Sequence, residues 1–305
     1  MFKLKVYESN GFAYEHLFGQ VMQYSRPSFI KIEPYGNQGD RGNDGYEKAE
    51  GRYFQVFAPK DVNKSIQAAV KKVAEDFEDK LIPYWGELCE VREYVFVLND
   101  KYHGSNFPIE NTLATLKEKH NLAEASLYTS SHLEDEFLKL ASDQIMMIVG
   151  GLPDENSSEG LDYSVVAEVM KHIQDSPVTN SNFGKLVVPD IDEKITFNGL
   201  TTSGHWLKAK QLETWQIDDY FSKNSNFAKQ DLRNHLSQLY AECLVNYPEI
   251  EGEKNKDLGD IRFTAILEKI APKTDVPQHD RLRRDVGLVI MAKYFETCDI
   301  FEEPK

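Results

Sequence analysis

Cysteine is scarce in this chain: the sequence contains three, Cys89, Cys243 and Cys298, which lie far apart and lack Cys-x-x-Cys spacing. This argues against a disulfide or zinc framework and predicts small buried hydrophobic residues instead. The sequence also lacks a run of about 18 apolar residues, so it predicts no membrane span. Its first residues lack the long apolar segment of a signal peptide. These absences predict a cytoplasmic protein that does not contact a membrane.

Positive charge is also in short supply. The chain of 305 residues has 35 Lys and Arg against 50 Asp and Glu, a net charge of −15, which argues against a generic nucleic-acid binder. The deficit is uneven, because residues 1–104 hold 14 basic against 16 acidic residues and the remainder holds 21 against 34. The N-terminal third is therefore open to nucleic acid, whereas the rest of the chain would repel it.

The length and composition predict two folded domains. A chain of this length exceeds the ~150 residues of one typical domain, and a hydrophobic share of 41% fills real cores. The stretch 153–160, rich in Pro, Asp, Ser and Gly, is the best linker candidate. We therefore expect one domain over residues 1–152 and a second over residues 161–305.

Hydrophobic periodicity predicts the elements of each domain. In the first domain, the predicted elements follow the order α-β-β-β-α-β, and a helical hairpin comes after them. The predicted ranges are helix 11–24, strands 29–33, 44–48 and 52–58, helix 61–80 with Asp61 as N-cap, strand 90–98, and the hairpin helices 108–120 and 132–148. The second domain is predicted to be helical, at 161–173, 203–222, 226–246, 258–270 and 280–298, with an irregular section containing 185–188 and 194–197.

A glycine- and aspartate-rich turn, residues 36–46, precedes the strand 52–58. Glycine supplies the positive φ angles of a tight hairpin. An aspartate at the end of such a turn presents two oxygens, which suits a hard cation such as Mg²⁺. The alternative is a solvated hairpin whose Asp and Asn side chains only satisfy the backbone of the turn.

The same region resembles the PD-(D/E)XK nucleases, over residues 11–100. That family places an acid on its first helix, an acid opening its second strand, and Glu or Gln on its third; Glu15, Asp44 and Gln55 stand at these positions. The segment 39–45 resembles the signature of the Mrr-type branch, which favours Gln. The resemblance implies a restriction-endonuclease-like α/β fold and one or two Mg²⁺ (or Mn²⁺) ions held by Asp44, Gln55, Glu15 and Asp40, with Asp40 alternatively bracing the hairpin.

The whole chain also resembles the nuclease effector of ABC-three-component (Lamassu-type) anti-phage systems. The residues that carry this resemblance are 39–46 with 55–59, then 99–104, and finally 291–302. It implies an endonuclease acting on double-stranded DNA, with an SMC-like ATPase and a small accessory subunit holding it until foreign DNA is sensed. Self-association of the nuclease domains, giving a homo-oligomer when active, belongs to the same expectation.

One departure from the nuclease pattern concerns a lysine. The family places it two residues after Gln55, where this chain has Phe57. Lys101, Lys48 and Lys60 are substitutes for the missing cation; we expect Lys101, because residues 99–104 belong to the resemblance, with Lys60 left open.

Two alternatives to a working nuclease follow from these features. The missing lysine favours a degenerate nuclease fold that binds DNA or assists assembly without turnover. The acidic C-terminal two-thirds favours a pure adaptor. The apolar residues of the last helix, 280–298, predict either a docking surface or closure of the domain core.

Overall fold

A computed structural model describes residues 1–34, 39–151, 161–176, 191–223, 227–249, 256–274, 276–296 and 300–304. The predicted linker 153–160, the segment 185–188 and Cys298 lie outside these ranges. The chain divides into two compact units, Phe2–Ile148 and Val149–Lys305, with Met1 grouped with the second. In the described ranges, no helix is long and apolar enough to cross a membrane.

The first unit is an α/β fold built on a five-stranded mixed sheet with the strand order β1-β2-β3-β4-β5. Its strands are β1 (Phe29–Lys31), β2 (Gly45–Glu47), β3 (Arg52–Phe57), β4 (Glu93–Leu98) and β5 (Glu124–Tyr128). Its helices are α1 (Phe2–Glu8), α2 (Phe12–Ser25), α3 (Ile66–Glu75), α4 (Ile82–Trp85), α5 (Phe107–Lys119), α6 (Ser130–Phe137) and α7 (Ser142–Val149).

The sheet has an antiparallel half and a parallel half. Strands β1, β2 and β3 form an antiparallel meander, whereas β3, β4 and β5 run parallel and are joined by helical crossovers. The predicted α-β-β-β-α-β order is present as α2, β1, β2, β3, α3 and β4. The sequence prediction missed α1 and β5, and the helical hairpin that it placed after β4 is interrupted by β5.

One polar side chain, that of Gln55, lies within an otherwise apolar part of a sheet face. Because side chains alternate along a strand, Tyr53, Gln55 and Phe57 share one face of β3. Tyr53 and Phe57 pack in a core with Phe96 and the inward side of α3. Gln55, opposite Phe96 in the parallel register, is only 1% exposed. A buried amide in this position needs partners from outside the sheet.

Helix α3 is shorter than predicted and continues as a π-helical turn. The predicted helix 61–80 begins instead with a 3₁₀ turn (Asn63–Ser65) that Asp61 caps by accepting from the Lys64 N–H, and α3 starts at Ile66. The π-helical turn spans Asp76–Leu81 and places Asp76 in a buried position at its start. Such turns are rare and occur often at functional sites.

The second unit is helical in its described ranges, as predicted. Its helices are α8 (Tyr163–Asp175), α9 (Ile191–Phe197), α10 (Ser203–Gln211), α11 (Trp215–Lys223), α12 (Phe227–Asn246), α13 (Leu258–Ile270) and α14 (Pro277–Glu296). Two predictions were wrong: the segment 194–197 lies in a helix, and the predicted helix 203–222 is two helices. A turn in which the Thr214 N–H donates to the Gln211 carbonyl separates them.

The last helix closes the core of the second unit. Val286, Val289, Ile290 and Phe295 of α14 are each no more than 2% exposed. The prediction that this helix closes the core of its domain is therefore confirmed, and these four side chains offer no docking surface. Of the cysteines, Cys243 is buried as predicted, but Cys89 is only partly buried.

Candidate functional site

The turn before β2 is held by its own side chains and by an indole. The Gly42 N–H donates to Asp40 Oδ1 (2.7 Å), and the Gly45 N–H donates to Asn43 Oδ1 (3.1 Å). Trp85 Nε1 donates to the Asp40 carbonyl at 2.9 Å. The turn is therefore fixed from Asp40 onward; residues 36–38 of the predicted motif lie outside the described ranges.

Gly42 lets this turn lie against both β3 and the π-helical turn. Its φ is +75°, in the left-handed region that favours glycine. A Cβ atom at this position would lie 2.8 Å from the Asp76 carbonyl oxygen and 3.1 Å from Gln55 Oε1. No other residue fits this approach without displacing the backbone, which explains the glycine chemically.

Asp44 and Gln55, predicted from different strands, are in direct contact. Asp44 Oδ2 accepts hydrogen bonds from Gln55 Nε2 (2.9 Å) and from the Val56 N–H (2.6 Å). Asp44 is 4% exposed. The other amide atom, Gln55 Oε1, is buried and has no hydrogen-bond partner among the described residues. A carboxyl group and an unsatisfied carbonyl oxygen thus lie side by side in the interior.

Burial controls the protonation of this carboxyl group. The pKa of Asp44 is raised from 3.8 to about 8, mainly because the side chain is removed from water; the charges of Asp40 and Glu15 also raise it, whereas the Val56 N–H and the charge of Lys72 lower it. Burial also raises the pKa of Glu15, and Asp40 acts in the same direction. The predicted acids Glu15, Asp40 and Asp44 therefore share one electrostatic site, and in the absence of a cation Asp44 holds a proton at neutral pH.

The donor set suits a hard divalent cation that keeps part of its own hydration. Among the described residues, no group of three or more His, Cys, Asp or Glu side chains could hold a metal ion. Mg²⁺ is usually bound through one or two carboxylates together with water and substrate phosphate. Asp44 supplies one carboxylate, and the unpartnered Gln55 Oε1 supplies a neutral amide oxygen beside it. The residues therefore fit Mg²⁺, and Mn²⁺ accepts the same oxygen ligands.

The structure does not bring the predicted Lys101 into contact with Asp44. Its ammonium group donates to Asn10 Oδ1 (3.0 Å) and to the Lys60 carbonyl (3.3 Å), and burial lowers its pKa. Lys48 follows β2 on an exposed position. Phe57, at the position of the family lysine, stacks on Phe96 with ring centroids 6.2 Å apart.

The charge of Lys72, on α3, acts on both Asp44 and Glu15 and opposes the rise in their pKa values; Lys31 acts on Glu15 in the same direction. Lys72 Nζ lies 2.5 Å from Asp76 Oδ2, and Lys80 binds the other oxygen of the same carboxylate. Although burial raises the pKa of Asp76, the two lysines hold it below its usual value. This cluster of two cations and one anion carries a net positive charge beside the acids.

The substitutes predicted for the missing lysine were Lys101, Lys48 and Lys60, and Lys72 was not among them. A signal was available: Lys72 and Asp76 are spaced i, i+4, the spacing at which helix side chains meet. The spacing alone does not show which side of the sheet Lys72 and Asp76 lie toward, because that depends on how α3 packs across the sheet.

Comparison with known proteins bears on the second unit. Residues 164–302 match the family model of C-terminal domain 10 of the ABC-three component (ABC-3C) systems. The match supports membership of the chain in such a system, as the sequence resemblance predicted. It covers no residue of the first unit and carries no information on catalysis. Comparisons with curated proteins and with solved structures gave no significant match.

Proposed function

We propose that the chain is the DNA-cutting effector of an ABC-3C system: a metal-dependent endodeoxyribonuclease unit followed by a helical unit that docks partners. The observation that carries the proposal is the buried contact between Asp44 and Gln55, with an oxygen of Gln55 left unsatisfied. Unsatisfied buried acceptors are rare in folded proteins and call for a ligand or water. The match of the second unit to an ABC-3C domain supports the biological setting.

The chemistry assigned to the site is hydrolysis of a phosphodiester. Asp44 and Gln55 would hold Mg²⁺, which when bound lowers the pKa of water and neutralises developing charge on the phosphate. Glu15 and Asp40 add negative charge that favours the cation. Binding of the cation replaces the proton that burial otherwise leaves on Asp44.

A second cation is needed to stabilise the charge that builds up on the phosphate. Lys72 is the structural candidate, because its charge acts on Asp44 and Glu15. Lys101 is the candidate from the sequence resemblance, and its placement beside Asn10 argues for a supporting role in the β4 turn. We propose Lys72 for the phosphate and keep Lys101 as the competing assignment.

The regulation that we propose follows the Lamassu-type resemblance. An SMC-like ATPase and a small accessory subunit hold the chain inactive until foreign DNA is sensed, and self-association of the nuclease units then accompanies activity. The acidic charge of the chain beyond residue 104 supports a protein-docking role for the second unit, since that charge repels DNA.

A second candidate function is a DNA-binding or assembly subunit without turnover. Two observations favour it: Phe57 fills the position of the family lysine and packs in the core, and Asp44 holds a proton at neutral pH unless a cation displaces it. In this version the site would bind DNA but leave it uncut.

Incubation of supercoiled plasmid with the purified full chain and Mg²⁺ separates the two candidates. We expect wild type to nick or linearise the plasmid and Asp44→Asn to be inactive. Lys72→Ala should lose about a hundredfold in rate, the scale for removing one electrostatic stabiliser. Lys117→Ala, which removes a charge paired with Glu124, is the matched control and should cut normally.

The outcome decides between the assignments. A larger loss in Lys101→Ala than in Lys72→Ala would return the role to Lys101. DNA binding without cleavage, in the chain alone and with its partner subunits, would support the assembly subunit.

A further inference from the structure

Arg41 occupies a backbone conformation that disfavours it. Its φ is +58°, in the left-handed region, and it stands between Asp40 and Gly42 in the fixed turn. A non-glycine residue pays a steric cost there, because Cβ approaches the following carbonyl oxygen. Residues held in such a conformation persist only where the surrounding structure fixes them, and they cluster at functional sites.

Among the described residues, the guanidinium group of Arg41 has an aromatic neighbour and no anionic partner. It lies over the Tyr84 ring, 5.3 Å from the ring centroid. Its Nε is buried without a hydrogen-bond partner, and no ion pair with a carboxylate is found among the described residues. Two other arginines of this unit each form ion pairs with two carboxylates: Arg26 with Glu136 and Glu47, and Arg52 with Glu47 and Glu93.

The position of Arg41 places this cation at the rim of the acidic site. Its neighbour Asp40 acts electrostatically on Asp44, and a Cβ atom on its other neighbour, Gly42, would lie 3.1 Å from Gln55 Oε1. Consecutive Cα atoms are only about 3.8 Å apart. Tyr84 is 49% exposed and Arg41 is partly exposed, so the pair lies at the surface of this unit, although Arg41 Nε itself is buried.

We propose that Arg41 binds a non-bridging oxygen of the DNA backbone, next to the phosphate that the Asp44 and Gln55 site engages. The inference rests on the proposed function and adds a residue that fixes the strand in register. A guanidinium group presents a planar fork of donors that matches phosphate geometry, and stacking on an aromatic ring pre-orients it. An arginine lacking a carboxylate partner is available for such a contact.

The melting temperature of Arg41→Gly distinguishes a DNA-binding role of Arg41 from a purely structural role. Arg41→Gly removes the steric cost of the positive φ, so the melting temperature should be unchanged or higher if the side chain serves binding. If Arg41 instead holds the turn through Tyr84, the same substitution should lower the melting temperature. Arg41→Lys keeps the charge but loses the fork, and it serves as the conservative variant.

Binding of a labelled DNA duplex to the full chain, with Ca²⁺ in place of Mg²⁺, tests the proposal by fluorescence anisotropy at several salt concentrations. One lost phosphate contact should reduce the slope of log K against log salt by about 0.9. We expect this reduction in Arg41→Gly and Arg41→Ala, and a slope close to wild type with weaker binding in Arg41→Lys. Lys117→Ala loses the same charge far along the sheet, at the α5 end next to β5, and should keep the wild-type slope.

The outcomes separate this inference from the proposed function. Wild-type binding and slope in Arg41→Gly, in a protein that still cuts plasmid, would overturn the role of Arg41 alone. A lowered melting temperature in Arg41→Gly with an unchanged slope would assign Arg41 to the fold. A wild-type chain that binds no duplex at any salt concentration would overturn both the inference and the proposed function.

Discussion

The protonation of Asp44 makes a prediction about stability that needs no knowledge of substrate. In metal-free buffer, replacing Asp44 with Asn should remove one pH-dependent contribution to the stability of the first unit. Asn keeps the shape of the side chain, and its Oδ1 can accept the same hydrogen bonds from Gln55 Nε2 and the Val56 N–H. The comparison therefore isolates the titration of a single buried carboxyl group.

The sign of the effect follows from the raised pKa. Below the ordinary value of 3.8, Asp44 is protonated in both the folded and the unfolded chain. Between that value and about 8, the unfolded chain releases the proton and the folded chain keeps it, so the free energy of unfolding falls as the pH rises. Above this range the penalty is constant. Asp44 thus stabilises the fold least where its carboxylate is most useful for binding a cation.

The magnitude depends on the pH interval and not on the exact pKa. Each pH unit inside the window changes the stability by about 1.4 kcal/mol for one proton. From pH 5 to pH 7, wild type should therefore lose about 2.7 kcal/mol relative to Asp44→Asn. For a unit of about 150 residues this corresponds to a difference of about 5 to 10 °C in Tm.

Differential scanning calorimetry of both proteins at pH 5, 6 and 7, with a chelator present, measures this difference. Addition of Mg²⁺ provides a second readout, because a ligand that binds the native state stabilises it. Since the cation must displace the proton, Mg²⁺ should raise the Tm of wild type more at pH 7 than at pH 5 and leave Asp44→Asn unchanged. Identical pH profiles in the two proteins would refute the reasoning, because they would mean that Asp44 is ionised in the folded chain throughout.

Two further predictions concern the packing of each unit. Gly39→Ala, at a positive φ with no atom within 4 Å of the new Cβ, should cost about 1–2 kcal/mol, whereas Gly42→Ala should cost about 1–3 kcal/mol more because its Cβ meets the Asp76 carbonyl. Equal losses in urea unfolding would contradict the close approach. Lys194→Met should destabilise the second unit by about 2–4 kcal/mol, since the buried ammonium group donates to the Phe295 and Ile300 carbonyls. Lys208→Met, which breaks an exposed pair with Asp192, should cost under about 1 kcal/mol in the same calorimetric scan.

The sequence was informative where one residue pattern determines one element. The apolar run around Gln55 and the capping position of Asp61 each identified a real local feature, and the α-β-β-β-α-β order follows from such features. Short elements were predicted unevenly: β1 and β2, of three residues each, were found, whereas α1, of seven, and β5, of five, were missed. Elements of this length carry little periodicity, and their formation depends on the neighbours that cover them.

The candidate site also has a part that the sequence predicts and a part that it does not. Asp44 directly precedes β2, and Gln55 lies on β3, which a tight connection joins to β2, so their contact follows from hairpin register. Lys72, whose charge acts on the acids, lies on the helix that follows β3, and no strand pattern distinguishes it from Lys101, which donates to Asn10 instead. The unsatisfied Gln55 Oε1 is likewise a property of packing, which a sequence does not display.

The hydrogen bond from Trp85 to the backbone of Asp40 gives the turn an optical reporter. Trp85 is the sole tryptophan of the first unit, since the sequence has three and Trp206 and Trp215 belong to the second. Replacing those two with Phe leaves one emitter, whose indole N–H is tied to the turn that precedes Asp44. The wavelength of its emission then responds to any change in hydration or order of that turn, so the proposed binding of a cation and of DNA can be tested in real time, without a label and in the intact chain.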